Sequence, residues 1–443
     1  MPKRVVLVVI DGLTPGLLEG ALEELPALRF LAEHGRLRRG TSTFPSLTPV
    51  CLSSIATGAH PDVHEIPHLV WYHRGERRLI EYGSSFAALR AAGFSRSLRD
   101  TILNMNARHL GAGAVTLFEA VEDAGLVAAS VNFTAYRGRT SHRSSLPGVP
   151  PASGPRRFFF YSLYESDATG APLAVRNRAA GSIDDYAAAV GRWLVTRDGF
   201  DVLVFYLSDL DYASHALGPD GCREALTRAD AHVASLLEAA GGPDEFLDRY
   251  AVVVCADHGQ TDVHTAVSLE HAVAGVDAVV VAASNRAAQL YRLPRCPEDA
   301  RALAERLDGE PAAEVALFRE DGHVVARREG AECRVLDGEV VGGDPAILAY
   351  PDAAARVWAA LANPNAGDVL VSAAAGYEFA DLAGRHHVGG GSHGSLLAGD
   401  SEVPILTVGL DADPSSIVDV APAVLAHLGV RPPEYARPLA RAA

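Results

Sequence analysis

Three short apolar runs, each leading into an aspartate, constrain the fold of this chain more than any other feature. Residues 5–10 (Val-Val-Leu-Val-Val-Ile) run directly into Asp11, residues 202–207 (Val-Leu-Val-Phe-Tyr-Leu) precede Asp211, and residues 251–256 (Ala-Val-Val-Val-Cys-Ala) run into Asp257. Unbroken apolar runs of this length fit strands buried on both faces, the kind found in parallel sheets covered by helices. In an open sheet of that type, ligands gather beyond the carboxyl ends of the strands. Acids placed there predict one shared site. His258, adjacent to Asp257, makes a metal site the natural reading.

The rest of the pattern agrees with an α/β fold, a central mostly parallel sheet flanked by helices. Further strands are expected at 126–131, 278–282, 368–372 and 404–408, and helices at 17–33, 49–56, 116–124, 183–195, 223–240 and 418–428. Between 283 and 361 the pattern changes to a short helix near 297–307 and a hairpin over 315–327 with Asp321-Gly322 at its turn. Asp-Gly between two apolar runs is a strong hairpin signal. The expectation is a catalytic core over 1–282 and 362–443 interrupted by a small α+β insertion, with 368–372 returning to the main sheet and delivering His393.

Composition narrows the functional classes. With 39 Lys plus Arg against 55 Asp plus Glu the formal net charge is −16, which argues against a nucleic-acid polymer or an anionic membrane as partner. The basic start before Asp11 is too short for a membrane span, so no membrane insertion is expected. Five scattered cysteines without a Cys-x-x-Cys pair argue against a disulfide framework or thiolate zinc site and fit a reducing, cytoplasmic setting. The expected partner is a small molecule.

Taken singly, the candidate ligands are ambiguous. Asp11 before Gly12 also suits a turn, and Asp211-x-x-x-His215 places two side chains on one helix face without requiring a metal. His393 lies in a Gly-rich stretch that reads equally as a loop. The nucleophile candidates lie between Thr41 and Thr48, where Pro49 suits the first turn of a helix and makes Thr48 its expected N-cap. A hydroxyl there meets free N–H groups and the positive helix end, a favourable place for phosphate. A plain capping threonine has the same signature.

Together these motifs resemble the alkaline phosphatase superfamily, and within it the type I phosphodiesterase/nucleotide pyrophosphatase family. The resemblance rests on Asp11-Gly12, Thr48 followed by Thr57-Gly58, Asp211-x-x-x-His215-x-x-Gly218-Pro219, Asp257-His258-Gly259 and Gly391-x-His393-Gly394, in that order. It implies two divalent ions, zinc first and manganese as an alternative. Asp11, Asp257, His258 and the Thr48 oxygen would hold one; Asp211, His215 and His393 would hold the other. It further implies in-line hydrolysis of a phosphate ester through a phosphothreonine at Thr48, with Thr43 of Thr43-Phe-Pro as fallback nucleophile.

The chain also departs from the family's pattern. The position of a phosphate-holding Asn falls on Leu69; His68, Arg74 and Arg137 are candidate substitutes, and Trp71-Tyr72 would either stack on a base or serve packing. Segments 67–112, 141–180 and 283–361 are expected to set specificity. A phosphomonoesterase, a phosphonate hydrolase and a silent metal- or phosphate-binding scaffold are the alternatives. The sulfatase motif is missing around Cys51, and no Gly-x-Gly-x-x-Gly follows the first strand to support a dinucleotide enzyme.

Overall fold

The computed structural model describes residues 2–166, 182–197 and 199–439. Its main sheet has eight strands in the order Arg36–Thr41, Glu402–Val408, Tyr250–Cys255, Arg4–Ile10, Val202–Leu207, Ala128–Val131, Arg157–Phe160, Tyr164–Ser166. The five from Tyr250–Cys255 to Arg157–Phe160 are mutually parallel, while Glu402–Val408 and Tyr164–Ser166 run antiparallel to their inner neighbours. The three strands that lead into acids are immediate neighbours, and nearly every residue in them is buried. Burial on both faces is why they read as unbroken apolar runs rather than alternating ones.

Their register places the site. Ile10 pairs with Leu207 and Val9 with Cys255, so the three carboxyl ends stop at one level of the sheet. Asp11, Asp211 and Asp257 therefore emerge along one edge.

A second sheet of seven strands contains Val279–Ser284, Ala287–Arg292, Val369–Ala373 and Ala313–Glu320, and continues through three hairpin-connected strands to Glu339–Gly343. The hairpin expected at Asp321-Gly322 is present; Glu320 pairs with His323 and both turn residues have positive φ, 49° and 80°. One expectation fails. The strand expected at 368–372 does not return to the main sheet: Val369–Ala373 inserts between Ala287–Arg292 and Ala313–Glu320 in the second sheet. The strand expected at 278–282 also joins that sheet. A short buried strand has the same composition in either sheet, and nothing in its own residues names its partners.

His393 is delivered instead by the two-residue strand Gly391–Ser392, whose residues pair with Asp262 and Thr261 just beyond His258. A helix expected over 17–33 is broken into Pro15–Ala21, a single 3-10 turn and Pro26–Glu33. Pro26 has no N–H to continue the earlier helix, and it starts the later one.

Candidate active site

The first cluster grows from the loop after Tyr250–Cys255. Asp257 turns one carboxylate oxygen inward, where Oδ1 accepts from the backbone N–H of Gly12 at 3.3 Å and of His258 at 3.0 Å. Its Oδ2 has no hydrogen-bond partner among the described residues, and neither does Oδ1 of Asp11. His258 Nε2 lies 3.3 Å from Asp11 Oδ1, 3.4 Å from Asp257 Oδ2 and 3.1 Å from Thr48 Oγ1. His258 Nδ1 is 3.1 Å from the Gly259 carbonyl oxygen, which requires a proton on Nδ1 and leaves a lone pair on Nε2. Oxygen and nitrogen lone pairs thus converge in a buried space. Gly12 has to be glycine here: its φ is +70°, and a Cβ would sit 2.9 Å from Gln260 Nε2 and 3.2 Å from Asp211 Oδ1.

The second cluster lies on the helix Asp209–Leu217. Asp211 and His215 occupy one face, with His215 Nε2 3.3 Å from Asp211 Oδ2 and His215 Nδ1 2.8 Å from the Gly391 carbonyl oxygen. His393 Nδ1 donates to the Ser46 carbonyl oxygen at 2.8 Å, and its Nε2 faces Asp211 Oδ1 at 3.9 Å. The His258 and His393 rings stack at 3.6 Å and 8°, which joins the two clusters. Among the described residues, His, Cys and carboxylate donor atoms lying within 4.8 Å of one another fall into two groups, Asp11–Asp257–His258 and Asp211–His258–His393. His258 belongs to both, and His215 reaches the second through Asp211.

The electrostatics show what the site needs. Burial, reinforced by Asp257 and Asp211, pushes the Asp11 carboxyl well above its ordinary range. Burial likewise raises Asp257 and lowers His393 far below an ordinary imidazole. Burial would also raise Asp211, but His215 beside it prevails and holds that carboxyl low. Carboxylates this crowded and dry favour a cation or a proton.

A supporting shell holds these groups in place. Tyr206 donates its hydroxyl to Asp11 Oδ2, and Gln260 Nε2 donates to Asp211 Oδ1. The fully buried pair Arg286–Asp400, at 3.0 Å, ties three segments together: Arg286 N–H donates to the His393 carbonyl, Asp400 accepts from Ser395 N–H, and the Asp400 carbonyl accepts from Gly259 N–H. Asp184, on the neighbouring helix Ile183–Arg197, caps the Asp209–Leu217 helix from outside by accepting from Ser208 N–H at 2.8 Å and Asp209 N–H at 3.2 Å. That helix has no side-chain cap of its own.

Asp184 gives the site a pH dependence. Burial, followed by repulsion from Asp209, raises its carboxyl to about 7. The unfolded-state value is about 3.9, so the folded state holds the proton more tightly. The stability this group contributes is complete below about pH 4 and is lost as pH rises through about 7. Asp184→Asn is expected to remove this component. In thermal melts at saturating metal, wild type should lose melting temperature relative to the variant between about pH 4 and pH 7, with little further change above that. Parallel curves for the two proteins would refute the assignment.

Several residues anticipated from the sequence lie elsewhere. Thr48 is not the N-cap: Leu47 is, and its carbonyl takes the first helical bonds from Val50 and Cys51. Thr48 is the first residue of the helix Thr48–Thr57, its hydroxyl directed at His258 instead of at free N–H groups. Thr43 is buried and faces His60 at 3.4 Å. Trp71 is fully buried in the main core between His73 and His109, and Tyr72 packs on Tyr291. His68 is buried and accepts from Val70 N–H. None of the three is among the residues that line the cavity beside Thr48, and Trp71 and Tyr72 make the packing contacts that were their alternative reading. Arg74 is bound to Asp368 and Arg137 to Glu119, and neither is among the residues that line the cavity.

The cavity itself has a volume of about 470 Å³ and extends from Thr48, Asp11 and His393 along an apolar wall that includes Ile102, Met105, Phe160 and Leu163. Leu69 lines it where an amide was sought. All three segments expected to set specificity contribute lining residues, with Asn285 coming from 283–361; residues 167–181 lie outside the described residues.

Tyr206, Gln260, Asp184 and Asn285 escaped the sequence reading. Tyr206 had a signal, a hydroxyl in an otherwise hydrocarbon strand that must find a partner when buried. Gln260 follows His258-Gly259 directly. Asn285, at the turn between Val279–Ser284 and Ala287–Arg292, lies in the segment read as a separate insertion.

Comparison with known proteins gives a consistent picture. The sequence profile of the type I phosphodiesterase/nucleotide pyrophosphatase family matches residues 5–396. A search of curated proteins found no relative that matches. Among solved structures, phosphonoacetate hydrolase from Sinorhizobium meliloti 1021 in complex with phosphonoformate superposes with TM-score 0.64 at 20% identity, covering 96% of each chain. Murine ectonucleotide pyrophosphatase/phosphodiesterase 5 gives TM-score 0.65 at 14% identity, over 99% of this chain and 98% of that one. The human form gives 0.63 at 14% identity, over 97% and 95%. At these identities the likeness concerns the fold.

Proposed function

The chain belongs to the type I phosphodiesterase/nucleotide pyrophosphatase family, and from that premise we propose that it is a two-metal phosphodiesterase with Thr48 as nucleophile. It is a hydrolase of phosphoric esters. The observation that carries the finer reading is the convergence at Thr48. Its half-buried hydroxyl opens on the cavity and meets His258 Nε2 at 3.1 Å, beside the unpartnered oxygens of Asp11 and Asp257.

The donor set fits divalent metal. Buried carboxylate oxygens without partners and imidazole nitrogens holding free lone pairs are what a cation completes. Oxygen and nitrogen donors without thiolate suit zinc, with manganese as the alternative. Asp11, Asp257, His258 and Thr48 would hold one ion and Asp211, His215 and His393 the other, with His258 near both. When bound, such ions lower the pKa of a coordinated hydroxyl and neutralise charge on phosphoryl oxygens.

The protein supplies position. The start of the Thr48–Thr57 helix fixes the hydroxyl, and the Gly259 carbonyl fixes the tautomer of the neighbouring His258 so that its Nε2 can hold the ion. The Thr48 hydroxyl passes its proton to water, Oγ1 bonds to phosphorus as the bond to the leaving oxygen breaks, and that oxygen takes a proton from water. Water then attacks the phosphothreonine, the threonine P–O bond breaks, and the hydroxyl is restored. A diester carries organic groups on both sides of phosphorus, and the wall of Ile102, Met105, Phe160 and Leu163 lets one of them bury apolar surface. The five free cysteines, four of them buried, support placing the enzyme in a reducing compartment such as the cytoplasm.

The test is a side-by-side rate comparison of bis-p-nitrophenyl phosphate and p-nitrophenyl phosphate on zinc-loaded protein. The diester is expected to react faster, with chelation abolishing both activities. Preference for the monoester would make the enzyme a phosphatase. Inactivity on both, with a phosphonate cleaved, would move it to carbon–phosphorus chemistry.

A further inference from the structure

We propose that Asn285 contacts the substrate directly, its Nδ2–H donating to a non-bridging phosphoryl oxygen; this rests on the phosphoric ester hydrolase reading above. The residue enters the site from the second sheet, at the tip of the hairpin between Val279–Ser284 and Ala287–Arg292. It is buried, and it lines the same cavity as Thr48, Asp211 and His393. Its Nδ2 lies 3.1 Å from His393 Nε2, so an oxygen bound next to that histidine is within its reach.

The orientation of the amide is fixed from two sides. Ser284 Oγ donates to Asn285 Oδ1 at 2.8 Å. His393 Nδ1 donates to Ser46 O, so Nε2 carries a lone pair and only an N–H can face it. Flipping the amide would set two lone pairs against each other. The N–H therefore points at the site by necessity.

His393 does not need this contact to hold its ring, because the Ser46 bond and the stack on His258 already orient it. Once a cation takes the Nε2 lone pair, the Asn285 N–H loses its protein acceptor and a buried donor requires another. A phosphoryl oxygen at the same cation supplies one. The donor is neutral, so it adds no positive charge to repel the metal ions and its proton is present at any working pH.

The backbone also marks the position. Asn285 has φ +55°, a left-handed conformation that Asn tolerates better than most residues, and its carbonyl accepts from Phe379 N–H at 2.7 Å. This turn is clamped in one unfavourable conformation, with the amide directed into the site.

The experiment uses zinc-loaded full-length protein with Asn285→Gly, which keeps the positive φ, and Asn285→Asp, which keeps the shape but replaces N–H with an oxygen. Inorganic phosphate is titrated by calorimetry, metal content is measured by mass spectrometry, and kcat/KM is measured on the better nitrophenyl ester. The Gly variant is expected to keep its metal, to bind phosphate about 10- to 100-fold more weakly, and to lose a similar factor in kcat/KM. The Asp variant should keep its metal and bind phosphate at least as poorly. Unchanged phosphate affinity in either variant overturns the proposal. So does loss of metal with unchanged phosphate affinity in the loaded fraction, which would make Asn285 a positioning residue for His393. Wild type that neither binds phosphate nor turns over esters would overturn the hydrolase reading itself, an outcome distinct from a failure confined to the variants.

Discussion

Thr48→Ala is expected to yield a folded, metal-binding protein whose turnover falls by about 10,000-fold or more, the scale of losing a covalent nucleophile. Thr48 is half-buried at the start of its helix and caps nothing, so the substitution removes a hydroxyl without removing a helix-stabilising bond. Asp11, Asp257 and His258 remain to hold metal. Thr48→Ser keeps the oxygen and should retain a measurable fraction of the rate. Thr43→Ala is the control: that hydroxyl faces His60, away from the ligand cluster, and its loss should leave kcat nearly unchanged. Steady-state rates on a nitrophenyl diester, paired with metal analysis, read all three. If Thr48→Ala stays active while Thr43→Ala is silent, the nucleophile has been assigned to the wrong threonine.

Metal removal should have the second large effect, on stability as well as rate. In the metal-free protein Asp11 and Asp257 face each other with unpartnered oxygens in a dry site, and burial raises both carboxyls. A divalent ion that binds only the folded chain stabilises it by about 4 kcal/mol when its free concentration is about 1,000 times its dissociation constant. Chelation should therefore lower the melting temperature and abolish activity together, and zinc should restore both. Asp257→Asn tests the same point from within. It relieves the repulsion, so the metal-free variant should melt no lower than metal-free wild type, yet gain much less from zinc. A variant that gains as much from zinc as wild type would remove Asp257 from the ligand set.

Both predictions start from residues legible in the sequence, and the reason is local. Apolar strands buried on both faces leave unbroken runs, and the parallel register that aligns their ends follows from the same burial. Asp11, Asp211 and Asp257 were legible as carboxyl-end residues because each follows an apolar run, and the structure makes their strands neighbours with Arg4–Ile10 in the middle. Asp-Gly at 321–322 announced its hairpin equally well, since few residue pairs tolerate two positive φ values. Trp71 and Tyr72 stayed ambiguous for the opposite reason. An aromatic pair looks the same in sequence whether it faces a ligand or His109 and Tyr291.

The family resemblance pointed to the histidines and to Thr48; the sequence by itself determined the sheet type and the three acids beyond the ends of its strands. These are properties of single segments, carried by periodicity and by neighbours a few residues away. Only the tertiary structure decided that Val369–Ala373 belongs to the second sheet, that Gly391–Ser392 brings His393 against His258, and that Tyr206, Gln260, Asp184 and Asn285 complete the site. Each of those facts is a hydrogen bond or strand pairing between segments far apart in the chain. Backbone donors and acceptors are the same in every residue but proline, so the choice among possible partners is made by how the whole chain packs.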